Sequence, residues 1–140
     1  MTCSTLWTPE GELRIHNPPW EGETWWSAED KRYANYDPWA EFEQPPGSHL
    51  VIHLWPHRVI KHTPKGVWLT DEPFGLQRFL CHNWYKQWAS PTQKEALQHL
   101  IARKQKHVRM SEARLARAQE HLRATEHFHE EMANANNNPG

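Results

Sequence analysis

Histidines are the residues in this 140-residue chain whose spacing first suggests chemistry. His49, His53 and His57 recur every four residues within the apolar run HLVIHLWPH. The alternating, β-branched composition and Pro56 predict a strand, in which side chains four residues apart lie about 13 Å apart, too far for one zinc ion. We therefore interpret the three histidines as part of a half-exposed strand face that holds no metal.

A second group of potential metal ligands lies near the C-terminus, in the stretch EHFHEE (126–131). His127 and Glu131 are one helical turn apart, a spacing that binds divalent metals weakly, but no HExxH pattern is present. We interpret this stretch as a solvated helix end, where histidines are favourably placed near the helix dipole. The sequence thus predicts no metal and no other cofactor.

The chain contains no recognisable nucleophile motif. Its serines lack a GxSxG context, and its six glycines form no phosphate-binding loop. Cys81 and His82 are adjacent on a predicted strand, so their side chains point to opposite faces. Cys3 and Cys81 form no CxxC pair, which is typical of reduced thiols. We predict that the protein is not an enzyme.

Charge is distributed unevenly along the chain. Residues 1–48 carry nine acidic and three basic residues, residues 49–90 carry two and five, and residues 91–140 carry six and eight. Opposite charges in successive segments indicate either an acidic surface for a basic partner or internal pairing.

Tryptophans lie within the acidic segment, and two interpretations compete. The rings either pack on the protein's own core or contact a partner. We predict that Trp39 and Trp55 are buried and that Trp25 or Trp26 lies at a partner surface. The predicted protein-binding residues are Trp20, Trp25, Trp26, Glu21, Glu23, Glu29 and Asp30.

The elements that must position these residues form an α+β protein. Residues 1–48 are rich in proline, tryptophan and acids, and predict an irregular segment with one short helix from Ser27. Residues 49–89 predict a small antiparallel β-meander of three or four strands, interrupted at Pro56, with turns at TPKG (63–66) and DEPFG (71–75). Residues 90–133 predict one long helix, and residues 134–140 a flexible tail.

The long helix carries its own signals. Ser90 is the predicted N-cap, Pro91 occupies the first helical position, and Leu97, Leu100 and Ile101 are expected to pack on the sheet. A straight helix of this length measures about 60 Å, so it either projects and pairs with a second copy or folds back. A continuous heptad without turn residues favours projection and a homodimer. The predicted self-association residues are Ile101, Val108, Leu115 and Leu122.

The helix also carries a basic face. Arg103, Lys106, Arg109 and Arg117 lie near one side and form a candidate nucleic-acid-binding stripe. Interleaved glutamates and the small basic excess favour an ordinary solvated face instead.

Four stretches resemble a known group of proteins: TPKGVWL (63–69), RF (78–79), KQWASPTQKEAL (86–97) and IARKQKH (101–107). They resemble uncharacterised small accessory proteins of tailed bacteriophages and prophages, in which a similar hairpin precedes a similar basic helix. The resemblance covers residues 58–123, with Gln87 and Trp88 departing from the pattern. It implies a phage-encoded accessory protein and no catalytic motif.

Such proteins often disarm or redirect host machinery by binding. The expected function is therefore non-enzymatic binding and inhibition of a host protein machine, such as a CRISPR-type anti-phage defence complex, with the acidic segment mimicking nucleic-acid charge. The alternative is a small nucleic-acid-binding protein that uses the basic helix face. Because no signal peptide or membrane-length apolar run is visible, we expect a soluble protein in the bacterial cytoplasm with no membrane partner.

Overall fold

The computed structural model describes residues 3–33, 49–71 and 75–136. It contains six strands and one helix within these ranges: β1 (Cys3–Thr8), β2 (Gly11–His16), β3 (Thr24–Tyr33), β4 (His49–His62), β5 (Gly66–Asp71), β6 (Leu76–Cys81) and α1 (Gln93–Asn136). The chain divides into two compact units, Met1–Ile101 and Ala102–Gly140. The predicted α+β class, with a sheet followed by one long helix, is confirmed.

Strand β4 organises the sheet, whose order is β1-β2-β4-β5-β6 with β3 paired to β4. The first ten residues of β4, from His49 to Arg58, pair antiparallel with β3. Val51 to Leu54 also pair with β2, in parallel, and β5 pairs antiparallel from Val59 onward. The sheet is therefore mixed, and the prediction of a three- or four-stranded antiparallel meander is wrong in these details.

The N-terminal segment is not irregular where the structure describes it, because residues 3–33 contain three strands. The helix predicted from Ser27 is instead the middle of β3, all ten residues of which pair with β4. A continuous ladder of this length outweighs the local capping preference of Ser27. Residues 34–48, including Trp39, lie outside the described residues.

Pro56 does not interrupt β4, contrary to the prediction. It lies after Leu54, the last residue paired with β2, and before Val59, the first paired with β5. The amide of Val59 donates to Glu23 beyond the start of β3, whereas the amide of Arg58 donates to Thr70 on the other edge. Since amides alternate between the two edges of a strand, position 56 faces the gap between β2 and β5, where no donor is needed.

Two apolar clusters hold the first unit together. One joins Trp25 to Val67, Leu69, Leu80 and Ala89. The other lies beneath the start of the helix and consists of Ala28, Leu54, Ala96 and Leu100, with Leu97 packed against it. Packing of the helix start through Leu97 and Leu100 is confirmed, but Ile101 is 55% exposed and does not contribute.

The helix begins later than predicted. The amide and carbonyl of Ser90 are both bonded to Trp26, which holds Ser90 in an extended conformation. Thr92 is the N-cap instead, because its hydroxyl accepts a hydrogen bond from the amide of Glu95 at 3.1 Å. The helix continues to Asn136, three residues beyond its predicted end, and every residue from Ile101 to Asn136 is exposed.

The turn predicted at residues 63–66 is confirmed. The amide of Thr63 donates to the carbonyl of Gly66 at 2.8 Å, and its hydroxyl donates to the same carbonyl at 2.9 Å. Strand β6 ends at Cys81, so residues 82–88 form a connection rather than a further strand. Within the described ranges, no helix combines the length and the apolar character that crossing a membrane requires.

Candidate functional site

The three histidines of β4 bond to different partners. His49 lies 2.8 Å from Glu12, which also accepts a 2.6 Å hydrogen bond from Arg14. His53 and His57 are only 3% and 5% exposed, so the prediction of a half-exposed strand face is wrong for both. The two polar rings can be buried because residues of β2, β3 and β5 form hydrogen bonds with their nitrogens.

His53 is the centre of an aromatic network. Its Nδ1 lies 2.9 Å from Nε2 of His16, and its Nε2 lies 3.0 Å from the hydroxyl of Tyr33. The ring of His16 stacks on the indole of Trp55, whose Nε1 donates to Glu29 at 2.9 Å. Burial is the main cause that lowers the pKa of both His16 and His53, so the neutral rings are favoured.

His57 forms a separate internal contact. Its Nδ1 donates to the carbonyl of Thr70 at 3.0 Å, which leaves Nε2 to accept from the hydroxyl of Ser27 at 2.7 Å. This arrangement resembles a base and a nucleophile, and no local pattern could predict it because the two residues are 30 positions apart. Since both ring nitrogens are occupied and the ring is buried, we interpret it as a hydrogen-bonded link between β3, β4 and β5.

The predicted protein-binding residues of the N-terminal segment are largely engaged within the chain. Trp25 is 9% exposed and belongs to the core, and Trp26 is half-buried against the cluster beneath the helix. The indole of Trp20 donates to Thr24 at 3.0 Å. The expectation that Trp25 or Trp26 lies at a partner surface is therefore wrong for Trp25.

All four acidic members of that set, Glu21, Glu23, Glu29 and Asp30, are exposed. Glu23 lies 2.7 Å from His62, and Glu29 accepts from the indole of Trp55. Trp55 is half-buried rather than fully buried.

The helix presents both of its predicted surfaces to solvent. Its predicted self-association residues, Ile101, Val108, Leu115 and Leu122, are all more than half exposed. Its predicted nucleic-acid-binding residues, Arg103, Lys106, Arg109 and Arg117, are exposed as well. His127 and Glu131 form an exposed pair 3.0 Å apart, one turn apart on the helix.

An exposed aromatic surface, which the sequence reasoning missed, lies on the sheet formed by β4, β5 and β6. Lys61, Trp68 and Phe79 are consecutive neighbours across the three strands. The rings of Trp68 and Phe79 have centroids 5.1 Å apart, and Trp84 meets Phe79 edge to face at 6.3 Å. Trp84 is 50% and Tyr85 96% exposed. We call Trp68, Phe79, Trp84 and Tyr85 the aromatic face.

The aromatic face lies opposite the core side of the same sheet. Val67 and Leu80, which alternate with Trp68 and Phe79, are fully buried. A shallow groove of about 360 Å³ runs beside Trp68 and Phe79, and its other lining residues are Thr63, Pro64 and Lys65. Alternation of large aromatic and small apolar residues in VWLT was the available signal for an outward-facing Trp68.

The charge around the aromatic face is positive. Residues 58–90 contain five basic residues and two acidic ones, Asp71 and Glu72. Lys61 and Lys65 are exposed beside Trp68, whereas Arg78 stacks 4.2 Å above the ring of Trp88.

Within the described part of the chain, no group of three or more histidine, cysteine, aspartate or glutamate side chains is arranged to hold a metal ion. Comparison with protein-family models, with curated proteins and with solved structures gives no match to this chain.

Proposed function

We propose that this protein is a non-enzymatic binding protein that contacts and inhibits a host protein complex as a phage-encoded accessory protein. The observation that carries the proposal is the aromatic face, where Trp84 contacts Phe79 edge to face and Trp84 and Tyr85 expose large rings. Exposed clusters of tryptophan and tyrosine are typical of binding surfaces, because such rings contribute most when a partner covers them.

The interior of the protein supports binding rather than catalysis. In the described part of the chain, His57 and Ser27 come near a catalytic arrangement, but the imidazole is buried and its other nitrogen is bonded to Thr70. The phage origin rests on the resemblance of residues 58–123, and the aromatic face falls within that same stretch.

The partner is expected to be a complex that handles nucleic acid, such as a CRISPR-type defence effector. The basic surroundings of the aromatic face favour an anionic partner surface, since opposite charges guide association and suppress wrong partners. Binding there would inhibit the complex by covering that anionic surface.

The test is retention of a bacterial complex by the tagged protein. The double variant Trp84→Ala with Tyr85→Ala removes two exposed rings and should abolish retention. A matched control, Met110→Ala with Phe128→Ala, removes exposed apolar side chains from the helix and should retain the complex as wild type does. Equal retention by wild type and by the Trp84 and Tyr85 variant would refute the aromatic face as the binding surface.

Nucleic-acid binding by the helix is the second candidate function. It is favoured by one observation: Arg103, Lys106, Arg109 and Arg117 are exposed and lie within about 120° of one another around the helix. Replacing these four residues by alanine should abolish salt-dependent duplex binding if this candidate is correct. Unchanged binding in that variant would exclude it.

A further inference from the structure

The aromatic face has no role in the core of its own sheet. Beneath it, Val67, Leu69 and Leu80 are fully buried and form the apolar contacts that stabilise the strands. Trp84 and Tyr85 follow the end of β6 and are not required by that core. Their exposure in a charged, hydrated surface therefore points to a ligand that covers them.

The face combines planar rings with positive charge. Trp68 and Phe79 lie side by side on neighbouring strands, and Lys61 is the next residue across the sheet. Lys65 lines the groove next to the same two rings. Residues 58–90 carry five basic and two acidic residues, and the nearby Glu23 is bonded to His62, so the charge around the face is net positive.

The occupant must therefore present flat unsaturated rings on an anionic backbone. Single-stranded nucleic acid has both properties, because its bases are free to stack on aromatic side chains while its phosphates lie near lysines. A duplex hides its base faces in its own stack, so it cannot offer them to these rings.

We propose that the aromatic face binds single-stranded nucleic acid, with bases stacked on Trp84 and Trp68 and phosphates near Lys61 and Lys65. This inference rests on the proposed function, since it identifies the strand carried by the host complex as what the aromatic face contacts. The binding is independent of base sequence, because every base has a face that can stack.

Fluorescence anisotropy of labelled single strands of about 15 nucleotides, oligo(dT) and oligo(rU), against a duplex of the same length, tests the proposal directly. Wild type should bind the single strands more tightly than the duplex. Trp84→Ala with Tyr85→Ala should weaken single-strand binding about tenfold or more, whereas Trp84→Phe should retain most of it. Near-ultraviolet circular dichroism checks that each variant is folded.

Two further variants, one in the lysines and one in the helix, complete the test. Lys61→Ala with Lys65→Ala should reduce the dependence of log K on log salt by about 0.7 for each lysine. Alanine at Arg103, Lys106, Arg109 and Arg117 should leave single-strand affinity within about twofold of wild type, because none of them belongs to the aromatic face. Equal affinity for duplex, or a loss seen only in the helix variant, would overturn the proposal.

The two proposals fail differently. If nuclease-treated lysate still yields a complex that wild type retains and the Trp84 and Tyr85 variant does not, while no oligonucleotide binds, the proposed function stands and the inference is wrong. If neither oligonucleotide binding nor retention of the complex depends on Trp84 and Tyr85, both proposals are wrong.

Discussion

The imidazole of His16 lies flat against the indole of Trp55, with ring centroids 3.8 Å apart and planes inclined by only 3°. The same imidazole contacts His53, so two histidines and a tryptophan form one packed layer across β2 and β4. In this layer the neutral forms of both imidazoles are favoured, because burial lowers their pKa values. A proton added to either histidine would bring a charge into a site where burial disfavours it.

We expect the protein to lose stability when the pH falls below the ordinary histidine pKa of 6.5. His16 and His53 have lowered pKa values when folded, so below 6.5 the unfolded chain binds more protons than the folded one. Above pH 6.5, His16 and His53 therefore do not change the free energy of unfolding with pH. Below it, each histidine lowers the free energy of unfolding by at most about 1.4 kcal/mol per pH unit. Urea unfolding between pH 7.5 and 5 measures the slope.

The variant His53→Gln is the control for that slope. The amide side chain can still form hydrogen bonds but does not titrate, so the variant should show a shallower decrease than wild type. Around His53, Arg14 and Lys31 also disfavour the proton, whereas Glu29 opposes them. A wild-type stability that stays constant between pH 7.5 and 5.5 would contradict the prediction.

Trp25→Ala should destabilise the fold by about 3–5 kcal/mol, because the indole is buried against Val67, Leu69 and Leu80. Trp84→Ala is the comparison, since that ring is half exposed and should change the free energy of unfolding by less than about 1 kcal/mol. Chemical denaturation of both variants decides between a core role and a recognition role for Trp25. Unchanged stability of the Trp25 variant would restore the interpretation of this residue as part of a recognition arm.

The elements that the sequence predicted correctly are those specified by local signals. The turn at residues 63–66 needs only Thr63 and Gly66 to close, and the long helix follows from an uninterrupted run of helix-forming residues. The start of that helix was displaced by two residues because Ser90 is by local preference the better N-cap, whereas Thr92 caps the observed helix. Only the tertiary contact between Ser90 and Trp26 distinguishes them.

The elements that the sequence did not predict depend on distant partners. Strand β3 contains Ser27, Glu29 and Asp30, residues that favour turns and helix starts, and becomes a strand because β4 is long enough to pair with all of it. The parallel alignment of β2 with β4 joins residues nearly forty positions apart, for which no local pattern exists. The aromatic face was missed for the same reason, since Trp68 and Phe79 become neighbours only through the strand register.

Gly66→Ala should destabilise the β5–β6 hairpin by about 3 kcal/mol or more, because an added methyl group would collide with the backbone carbonyl of Leu80 and the ring of Phe79. Gly75→Ala is the matched comparison. Gly75 has a φ of 65° and open space around it, so its variant should cost only about 1–2 kcal/mol of backbone strain. Thermal unfolding compares the stabilities of the two variants. A Gly66 variant no less stable than the Gly75 variant would show that β5 and β6 can move apart enough to avoid the collision.

Self-association itself is expected because Val108 and Leu115 belong to an apolar stripe that is more than half exposed in the single chain. Val108→Asp with Leu115→Asp places charges in the centre of that stripe and should convert a dimer into a monomer in sedimentation equilibrium. Ala113→Asp with Ala116→Asp, which adds the same charges outside the stripe at a similar cost in helix propensity, should leave the dimer intact. The alternating positions Lys104 and Ser111 are polar, so pairing should be weak and should strengthen as protein concentration rises. A wild-type protein that remains monomeric at the highest concentration measured would refute pairing through this stripe.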